Sequence, residues 1–339
     1  MAVTTATPQA VTVLGAGSWG TALACLMARN GLRITLWDHD ARQITALEHD
    51  RVNARYLPGV SLPDNIRLCQ TLEQALAATP DVLMAVPSHA FRAVLQRAAP
   101  FLNADTGLAW ATKGLEPVSC KLLHEVLAEE LAGTHRTAVI SGPTFAREVA
   151  AGLPTAVTVA SADAAYADRW ASFLHSNSFR AYTCGDIAGV ELGGAIKNVL
   201  AIATGIADGL GFGANTRAAL ITRGLAEMMR LGIALGGRRE TFMGLAGLGD
   251  LILTSTDDQS RNRRLGLALG RGHSLESARA AIDQVIEGVQ TAREIHTLAR
   301  RHAIDMPITE QVYRVLYEGC APRDAVQALL GRDPKAETP

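Results

Sequence analysis

Short apolar runs alternate with amphipathic stretches from Val11 to about Tyr182, and this alternation constrains the fold more than any other feature. The runs are rich in β-branched residues, as is typical of strands buried on both faces of a sheet. The predicted strands are Val11–Gly15, Arg33–Asp38, Ile66–Cys69, Asp81–Val86, Leu108–Ala111, Thr137–Ile140, Thr155–Ala160 and Phe179–Tyr182. The pattern predicts an α/β, doubly wound parallel sheet with helices on both faces.

The strand pattern ends near Gly185, and segments rich in Ala, Leu and Ile with helical spacing follow. Glycine clusters separate these segments. A chain of 339 residues is also long for a single core. We therefore predict two domains, an α/β domain over residues 1–186 and an all-α domain over residues 187–339.

The first predicted strand leads into a glycine-rich loop, Gly15–Gly20, and then into a helix. In such a loop Gly15 permits a sharp bend, Gly17 lets the backbone approach a pyrophosphate, and Gly20 lets the helix pack on the strand. The helix N-terminus directs N–H groups at the anion. Asp38 ends the next strand at the distance expected for a ribose-binding acid. The first domain is therefore predicted to be of the Rossmann type and to bind a dinucleotide.

The residues after the second strand leave the choice of cofactor open. Asp38 can accept hydrogen bonds from a ribose diol and repel a 2′-phosphate, which favours NAD. His39 and Arg42 can instead attract that phosphate, which favours NADP. Asp38 and Asp40 can also act simply as caps of the following helix.

Two lysines are candidates for chemistry. Lys113 directly follows an apolar strand, at the sheet edge where ligands of open α/β sheets bind. Lys197 interrupts the otherwise uncharged helical segment Leu192–Ile202, and lysine is rarely buried without a partner. The small neighbours Gly193 and Gly194 are expected to leave room for a ligand. Partial burial disfavours the charged amine, which suits proton exchange with a substrate oxygen; the alternative is a lysine that extends to solvent at a helix edge.

Two further segments supply a carboxylate and a basic cluster. Asp250 lies in a glycine-rich bend, where it can orient an ammonium or accept a hydroxyl hydrogen bond. Ser260–Arg264 places three arginines behind a candidate N-cap serine, and N–H groups with guanidinium donors bind phosphate well. A solvated helix start is the alternative interpretation of this basic run. Together these residues predict a phosphorylated hydroxy or keto substrate.

Bulk composition excludes several classes of partner. The net charge of -1 gives no general attraction to nucleic acid or to anionic membranes. The five cysteines are widely spaced, which argues against a disulfide framework and against a metal site, so no metal is predicted. The uncharged run from Val11 to Ala28 is interrupted by the loop glycines and is not predicted to insert in a membrane. We expect a cytoplasmic protein.

The sequence resembles the bacterial NAD(P)-dependent glycerol-3-phosphate dehydrogenases over nearly its whole length. The first shared motif, Gly15–Ala24, occurs in many dehydrogenases, but the later ones in this order are specific to the family. The later motifs are Val86–His89, Trp110–Glu116, Ser141–Ala146, Leu192–Asn198, Gly247–Leu251, Gln259–Arg264 and Glu287–Gly288.

The resemblance implies reversible hydride transfer between nicotinamide C4 and C2 of dihydroxyacetone phosphate, which gives sn-glycerol 3-phosphate for glycerophospholipid synthesis. The implied cofactor is NAD(H) or NADP(H), and Lys197 is the implied catalytic lysine, which accepts the proton in oxidation and donates it in reduction. The implied substrate contacts are Lys113, Gly142, Thr144, Lys197, Asp250, Ser260, Arg261 and Asn262. The implied cofactor contacts are Ser18, Trp19, His39, Lys113, Ala146, Arg261, Val285 and Glu287, in addition to Gly15, Gly17, Gly20 and Asp38.

One departure from the family pattern concerns the cofactor. Asp38 stands where NADPH-preferring relatives carry a smaller residue such as glycine, which argues against a preference for NADP. Two other functions remain open: a 3-hydroxyacid dehydrogenase of similar two-domain plan, and a dinucleotide-sensing regulatory protein. The apolar helices of the second half predict a homodimer.

Overall fold

The computed structural model describes residues 9–77, 79–132, 135–282 and 284–333. It contains an eight-stranded sheet with strands in the spatial order β3-β2-β1-β4-β5-β6-β7-β8. The strands are β1 Ala10–Leu14, β2 Arg33–Trp37, β3 Ile66–Cys69, β4 Asp81–Met84, β5 Gly107–Trp110, β6 Thr137–Ser141, β7 Thr155–Ala160 and β8 Phe179–Cys184. Each predicted strand overlaps one of these, so the strand predictions are confirmed.

Helices pack on the sheet in two groups. The helices are α1 Ser18–Arg29, α2 Ala41–Asp50, α3 Leu72–Leu76, α4 Phe91–Ala98, α5 Leu123–Glu130, α6 Ala146–Ala150 and α7 Ala164–Leu174. Helix α1 contacts α6 and α7, whereas α4 contacts α3 and α5. The strands between the groups are almost wholly buried, which explains their apolar, β-branched composition. The doubly wound α/β prediction is confirmed.

The sheet departs from the all-parallel prediction at one pair, because β7 runs antiparallel to β6. The other six pairs are parallel. The connection between the two strands holds only α6, a helix of five residues. A helix of that length advances about 7.5 Å, whereas the five residues of β6 cover about 16 Å. The chain does not cross back over the sheet in this connection, so β7 starts at the edge where β6 ends.

The chain forms two compact units. The first contains the residues up to Glu116 together with Lys121–Glu191, and the second contains Pro117–Cys120 together with the residues from Leu192 onward. The domain boundary predicted between residues 186 and 187 falls at the first residue of the helix Ile187–Gly209. That boundary stays a prediction.

Among the residues that the structure describes, the second unit contains helices and connecting turns but no strand, as predicted. Its helices are α8 Ile187–Gly209, which begins in the first unit, and α9 Ala214–Ala234, α10 Arg239–Met243, α11 Asp250–Thr256, α12 Arg261–Gly270, α13 Leu275–Ala280, α14 Glu287–Arg301, α15 Pro307–Tyr317 and α16 Pro322–Leu330. By length and composition alone, helix α8 could cross a membrane. However, 83% of its most apolar 18-residue stretch is buried inside the protein. It is therefore the core helix of this unit.

Helices α8 and α12 pack through glycines, at backbone contact distance. Gly205 and Gly209 on α8 face Gly266 and Gly270 on α12. A Cβ on Gly266 would lie 2.2 Å from the carbonyl oxygen of Ile202, and a Cβ on any of the other three would lie 2.3 to 2.5 Å from a backbone oxygen of the facing helix. Because a backbone cannot yield as the end of a side chain can, any larger residue separates the two helices.

We expect Gly266→Ala to destabilise the protein. The added methyl group favours the helix by about 1 kcal/mol, but the backbone clash costs about 1–3 kcal/mol or more, so the melting temperature should fall by several degrees. Gly213→Ala is the control, because Gly213 precedes α9 with φ at -85° and a Cβ there meets no atom within 4 Å. Thermal unfolding of both variants gives the comparison. Equal melting temperatures for the two variants would show that the helices can separate without cost.

Candidate active site

The glycine loop joins β1 to α1 and has the steric features of a phosphate-binding turn. Gly15 has φ at +113°, and a Cβ there would lie 2.7 Å from the carbonyl oxygen of Ala85. A Cβ on Gly20 would lie 2.0 Å from the Gly15 carbonyl oxygen, so the helix lies directly on the turn. At Gly17 a Cβ would meet no described atom within 4 Å, which leaves the backbone open to a ligand. Helix α1 begins at Ser18, so the first-turn N–H groups face this opening.

Asp38 braces the loop as well as standing at the predicted ribose position. Its Oδ2 accepts a hydrogen bond of 2.7 Å from the Ala16 N–H, and its Oδ1 accepts one of 3.1 Å from the Asp40 N–H. His39 Nδ1 lies 2.8 Å from Asp38 Oδ1, and the imidazole is 77% exposed while the carboxylate is 12% exposed. The helix cap is Asp40, which accepts from the Arg42 N–H. A carboxylate has about four acceptor positions, so Asp38 retains capacity for a ribose hydroxyl.

Lys113, Gly142 and Thr144 converge at the carboxyl edge of the sheet. The Lys113 Nζ donates a hydrogen bond of 3.0 Å to the Gly142 carbonyl oxygen, and the Thr144 hydroxyl donates one of 3.2 Å to the same oxygen. Gly142 has φ at +153°, and a Cβ there would lie 2.9 Å from the Val157 Cα. Ala146 follows as the first residue of α6. The short connection from β6 to the antiparallel β7 therefore keeps three predicted contact residues at one edge.

Lys197 is buried in the second unit beside a carboxylate. Its side chain is 8% exposed, and that of Asp250 is fully buried. The Lys197 Nζ donates hydrogen bonds of 3.0 Å to Asp250 Oδ1 and 2.8 Å to the Thr254 hydroxyl. The Thr254 hydroxyl in turn donates to Asp250 Oδ1 at 3.1 Å. A buried charge requires such pairing, and the three groups hold the ammonium in one position.

The space beside Gly193 has a different use from the one predicted. A Cβ on Gly193 would lie 2.5 Å from the Ala246 carbonyl oxygen. Ala246 belongs to a π-helical turn, Leu245–Gly249, that leads directly into Asp250. The expectation that this glycine leaves room for a ligand is therefore wrong. The missing side chain instead lets the backbone before Asp250 reach α8, which brings the carboxylate to Lys197.

The predicted anion-binding segment begins α12. Ser260 caps this helix by accepting a hydrogen bond of 3.2 Å from the Arg263 N–H, as predicted. Arg263 is buried and forms ion pairs with Asp208 and Asp258, so its guanidinium stabilises the fold. Arg264 is exposed. Of the three arginines, Arg261 is the one whose guanidinium is neither exposed nor ion-paired with a carboxylate within the part of the chain that the structure describes.

Arg261 lies in a partly buried environment at the start of α12. Its Nη1 lies 3.4 Å from Gln284 Oε1. Burial lowers the pKa of the guanidinium, while the charge of Glu287 raises the pKa and that of Arg264 lowers it. Removal from water strengthens the attraction of this guanidinium for an anion, so Arg261 is the strongest phosphate-binding candidate in the segment.

Asn262 links three helices through its side chain. Its Nδ2 donates to Asn198 Oδ1 on α8 at 2.8 Å, and its Oδ1 accepts from the Gly288 N–H on α14 at 2.9 Å. Glu287 begins α14, and Val285 just before it is 45% exposed. Asn262 also lies in the first turn of α12, where its backbone N–H can contact an anion.

Two residues of these clusters were missed from the sequence. Thr254 lies one helical turn after Asp250 on α11, and this spacing is a signal that could have found it. Asn53 donates a side-chain hydrogen bond of 2.8 Å to the Ala16 carbonyl oxygen of the glycine loop, and it lies in an irregular segment between α2 and β3, where no pattern marks it. Among the described residues no group of three His, Cys, Asp or Glu side chains could hold a metal ion.

Two family models match this chain across nearly its whole length. The model described as NAD-dependent glycerol-3-phosphate dehydrogenase N-terminus matches residues 10–167, and the model described as the C-terminus of the same enzyme matches residues 186–327. The chain belongs to the NAD-dependent glycerol-3-phosphate dehydrogenase family. The resemblance found in the motifs is therefore confirmed.

Relatives of known name and structure agree with this family. A protein of Methylococcus capsulatus named glycerol-3-phosphate dehydrogenase (NAD(P)+) is 58% identical over 328 residues, which cover 96% of this chain and 98% of that one. A protein of the same name from Aeromonas salmonicida is 56% identical over 97% of this chain and 98% of its own length. The crystal structure of the glycerol-3-phosphate dehydrogenase of Coxiella burnetii superposes with a TM-score of 0.93 at 50% identity, covering 96% of this chain and 99% of that one.

Proposed function

We propose that this protein catalyses the reversible NAD(P)-dependent conversion of sn-glycerol 3-phosphate to dihydroxyacetone phosphate. Membership of the glycerol-3-phosphate dehydrogenase family over both halves of the chain supports the activity and the cofactor class. The observation that carries the mechanism is the buried lysine of α8, paired with Asp250 and Thr254. A buried ammonium with a fixed direction is suited to proton transfer in a site that excludes water.

When held at the glycine loop, a dinucleotide would supply the hydride that reduces C2 of the ketone. In this direction Lys197 donates a proton to the C2 oxygen as its negative charge develops, and the amine recovers a proton from solvent. In the oxidative direction the neutral amine accepts the hydroxyl proton. Asp250 and Thr254 hold the amine in position, and such positioning supplies a large share of the rate enhancement.

We propose that Lys113, Gly142 and Thr144 contact the substrate in the first unit, and that Lys197, Asp250, Ser260, Arg261 and Asn262 do so in the second. The N–H groups at the start of α12 and the partly buried guanidinium of Arg261 suit a phosphate. A phosphate clamp of this kind favours a phosphorylated triose over a simple hydroxy acid.

The proposed cofactor contacts begin at the glycine loop, where the steric features already described suit a pyrophosphate. The residues proposed are Gly15, Gly17, Ser18, Trp19, Gly20, Asp38, His39, Lys113, Ala146, Arg261, Val285 and Glu287. Lys113 and Arg261 would contact both ligands. We further propose that the product serves glycerophospholipid synthesis and that the protein acts in the cytoplasm.

We expect Lys197→Ala to lower kcat by about 100- to 10,000-fold, the usual contribution of a general acid or base. The KM for dihydroxyacetone phosphate should change much less. The control is Lys121→Ala, because Lys121 forms a partly exposed ion pair with Glu129 and should alter the rate by about twofold or less. Initial rates of NADH oxidation give both constants. Near-native turnover in the Lys197 variant would refute the proton-transfer role.

The same assay separates the other functions. A 3-hydroxyacid dehydrogenase would oxidise simple hydroxy acids and would not be inhibited competitively by glycerol 3-phosphate. A dinucleotide-sensing protein would bind NADH but would not oxidise it with any phosphorylated ketone. Turnover of dihydroxyacetone phosphate by the wild-type protein excludes both.

We expect Asp38→Asn to lower the KM for NADPH relative to that for NADH, by about tenfold. Asparagine retains an acceptor for the Ala16 N–H but removes the charge that repels a 2′-phosphate. Initial rates with the two cofactors at saturating dihydroxyacetone phosphate test this expectation. An unchanged ratio of the two KM values would assign the choice of cofactor to His39 or another group. Asp64→Asn is the control, because it removes a carboxylate elsewhere in the first unit.

We propose that the protein is a homodimer that associates through its second unit. Ile233, Met243 and Ile252 are large apolar side chains of this unit that are 48%, 50% and 45% exposed. They lie on α9, α10 and α11, and α9 contacts both of the other helices; neighbouring exposed apolar side chains are typical of association surfaces. Sedimentation equilibrium should give twice the mass of the chain. Substitution of all three by serine should give a monomer; a wild-type monomer would contradict the proposal.

A further inference from the structure

Asn53 is a fully buried amide that contacts the glycine loop from behind. Its Nδ2 donates one hydrogen bond of 2.8 Å to the Ala16 carbonyl oxygen and another of 2.8 Å to the Thr21 hydroxyl. Its Oδ1 accepts from the Gln43 Nε2 at 2.9 Å and from the Tyr56 N–H at 3.1 Å. We propose that Asn53 is a positioning residue for dinucleotide binding, which sets the geometry of the loop before the cofactor arrives.

The loop needs such a brace because its own sequence provides little stiffness. Ala16 is flanked by Gly15 and Gly17, and glycine restricts the backbone less than any other residue. The Ala16 peptide groups are therefore oriented from outside. Asp38 accepts from the Ala16 N–H and Asn53 donates to its carbonyl oxygen, so the residue is held on both sides. A loop ordered in advance loses less conformational entropy when the ligand binds.

The position of Asn53 is itself well determined. Its own backbone carbonyl accepts from the Leu57 N–H at 2.9 Å. In the same segment the Arg51 guanidinium donates to the carbonyl oxygens of Pro63 and Ile66, at 2.6 and 3.0 Å. The side chain uses both of its donors and both acceptor positions, which is the full capacity of a primary amide. Because Asn53 is itself fixed, its hydrogen bonds hold the loop in one position relative to the segment after α2.

The contact with Thr21 extends the same support to the helix. Thr21 is a fully buried residue of the first turns of α1. Its N–H donates to the Gly17 carbonyl oxygen at 3.0 Å, which closes the first turn of the helix. One amide therefore fixes both the loop and the helix whose N–H groups receive the pyrophosphate. This inference rests on the proposed function.

The test replaces Asn53 with leucine, which has the same branched arrangement of side-chain heavy atoms but cannot form hydrogen bonds. The dissociation constant for NADH, measured by fluorescence titration without turnover, should rise by about tenfold, the equivalent of losing one or two hydrogen bonds. At saturating NADH, kcat and the KM for dihydroxyacetone phosphate should stay within about threefold of wild type, because the residue touches no substrate group. This division between cofactor affinity and turnover distinguishes positioning from general damage.

Asn65→Leu is the matched control. Asn65 also donates two side-chain hydrogen bonds at α1, but at the opposite end of the helix, to the carbonyl oxygens of Ala28 and Leu32 at 2.8 Å each. Its loss should lower the melting temperature and leave the dissociation constant for NADH unchanged. If the Asn53 variant also melts earlier but binds NADH with wild-type affinity, its role is structural only and the proposal is wrong.

Gln43→Ala covers the case in which the Asn53 variant does not fold. Gln43 supports Asn53 from α2, and its removal should raise the dissociation constant for NADH by about two- to threefold. Wild-type affinity in this variant would overturn the proposal. A wild-type protein that fails to bind NADH would contradict the proposed function instead, so the two failures are distinguishable.

Discussion

The second unit depends on backbone-to-backbone packing around helix α8. Glycines on α8 and α12 bring the two helices into direct contact, and Gly193 admits the turn that precedes Asp250. A charged lysine in the interior is stable only if its partners are placed to within hydrogen-bonding distance. Here that placement comes from close approach of the backbone. The same glycines that tighten the core therefore also place the carboxylate beside Lys197 and the start of α12 beside Asn198.

In the first unit, the glycine loop is held in place by hydrogen bonds and not by packing. The loop must stay open for a ligand, so it cannot be filled by packing. Hydrogen bonds hold it instead, from the carboxylate of Asp38 on one side and the amide of Asn53 on the other. Asp38 thus braces the loop and also forms part of the proposed ribose site. A substitution of Asp38 that changes the cofactor preference therefore also affects the geometry of the loop.

Much of this organisation could be predicted from local pattern. The eight strands, the helical second half and the glycine loop all follow from residue spacing, because strand and helix place apolar side chains at different periods. The antiparallel β7 could not be predicted in this way. Its direction depends on the edge of the sheet to which the connection after β6 leads, and the alternation of strands and helices is the same for either direction. The ion pair between Arg263 and Asp208 could not be predicted either, since the two residues are 55 positions apart in the chain.

The sequence alone determined the class of fold, the family and the candidate residues, because each depends on residue types at short spacings along the chain. Tertiary structure decided what those residues contact. It assigned the space at Gly193 to a backbone turn, Arg263 to an ion pair and the side chain of Asn262 to helix linkage, and it revealed Thr254 and Asn53 as supporting groups. The physical reason is that hydrogen bonds and steric contacts act over a few ångströms in space, between residues whose separation along the chain carries no signal.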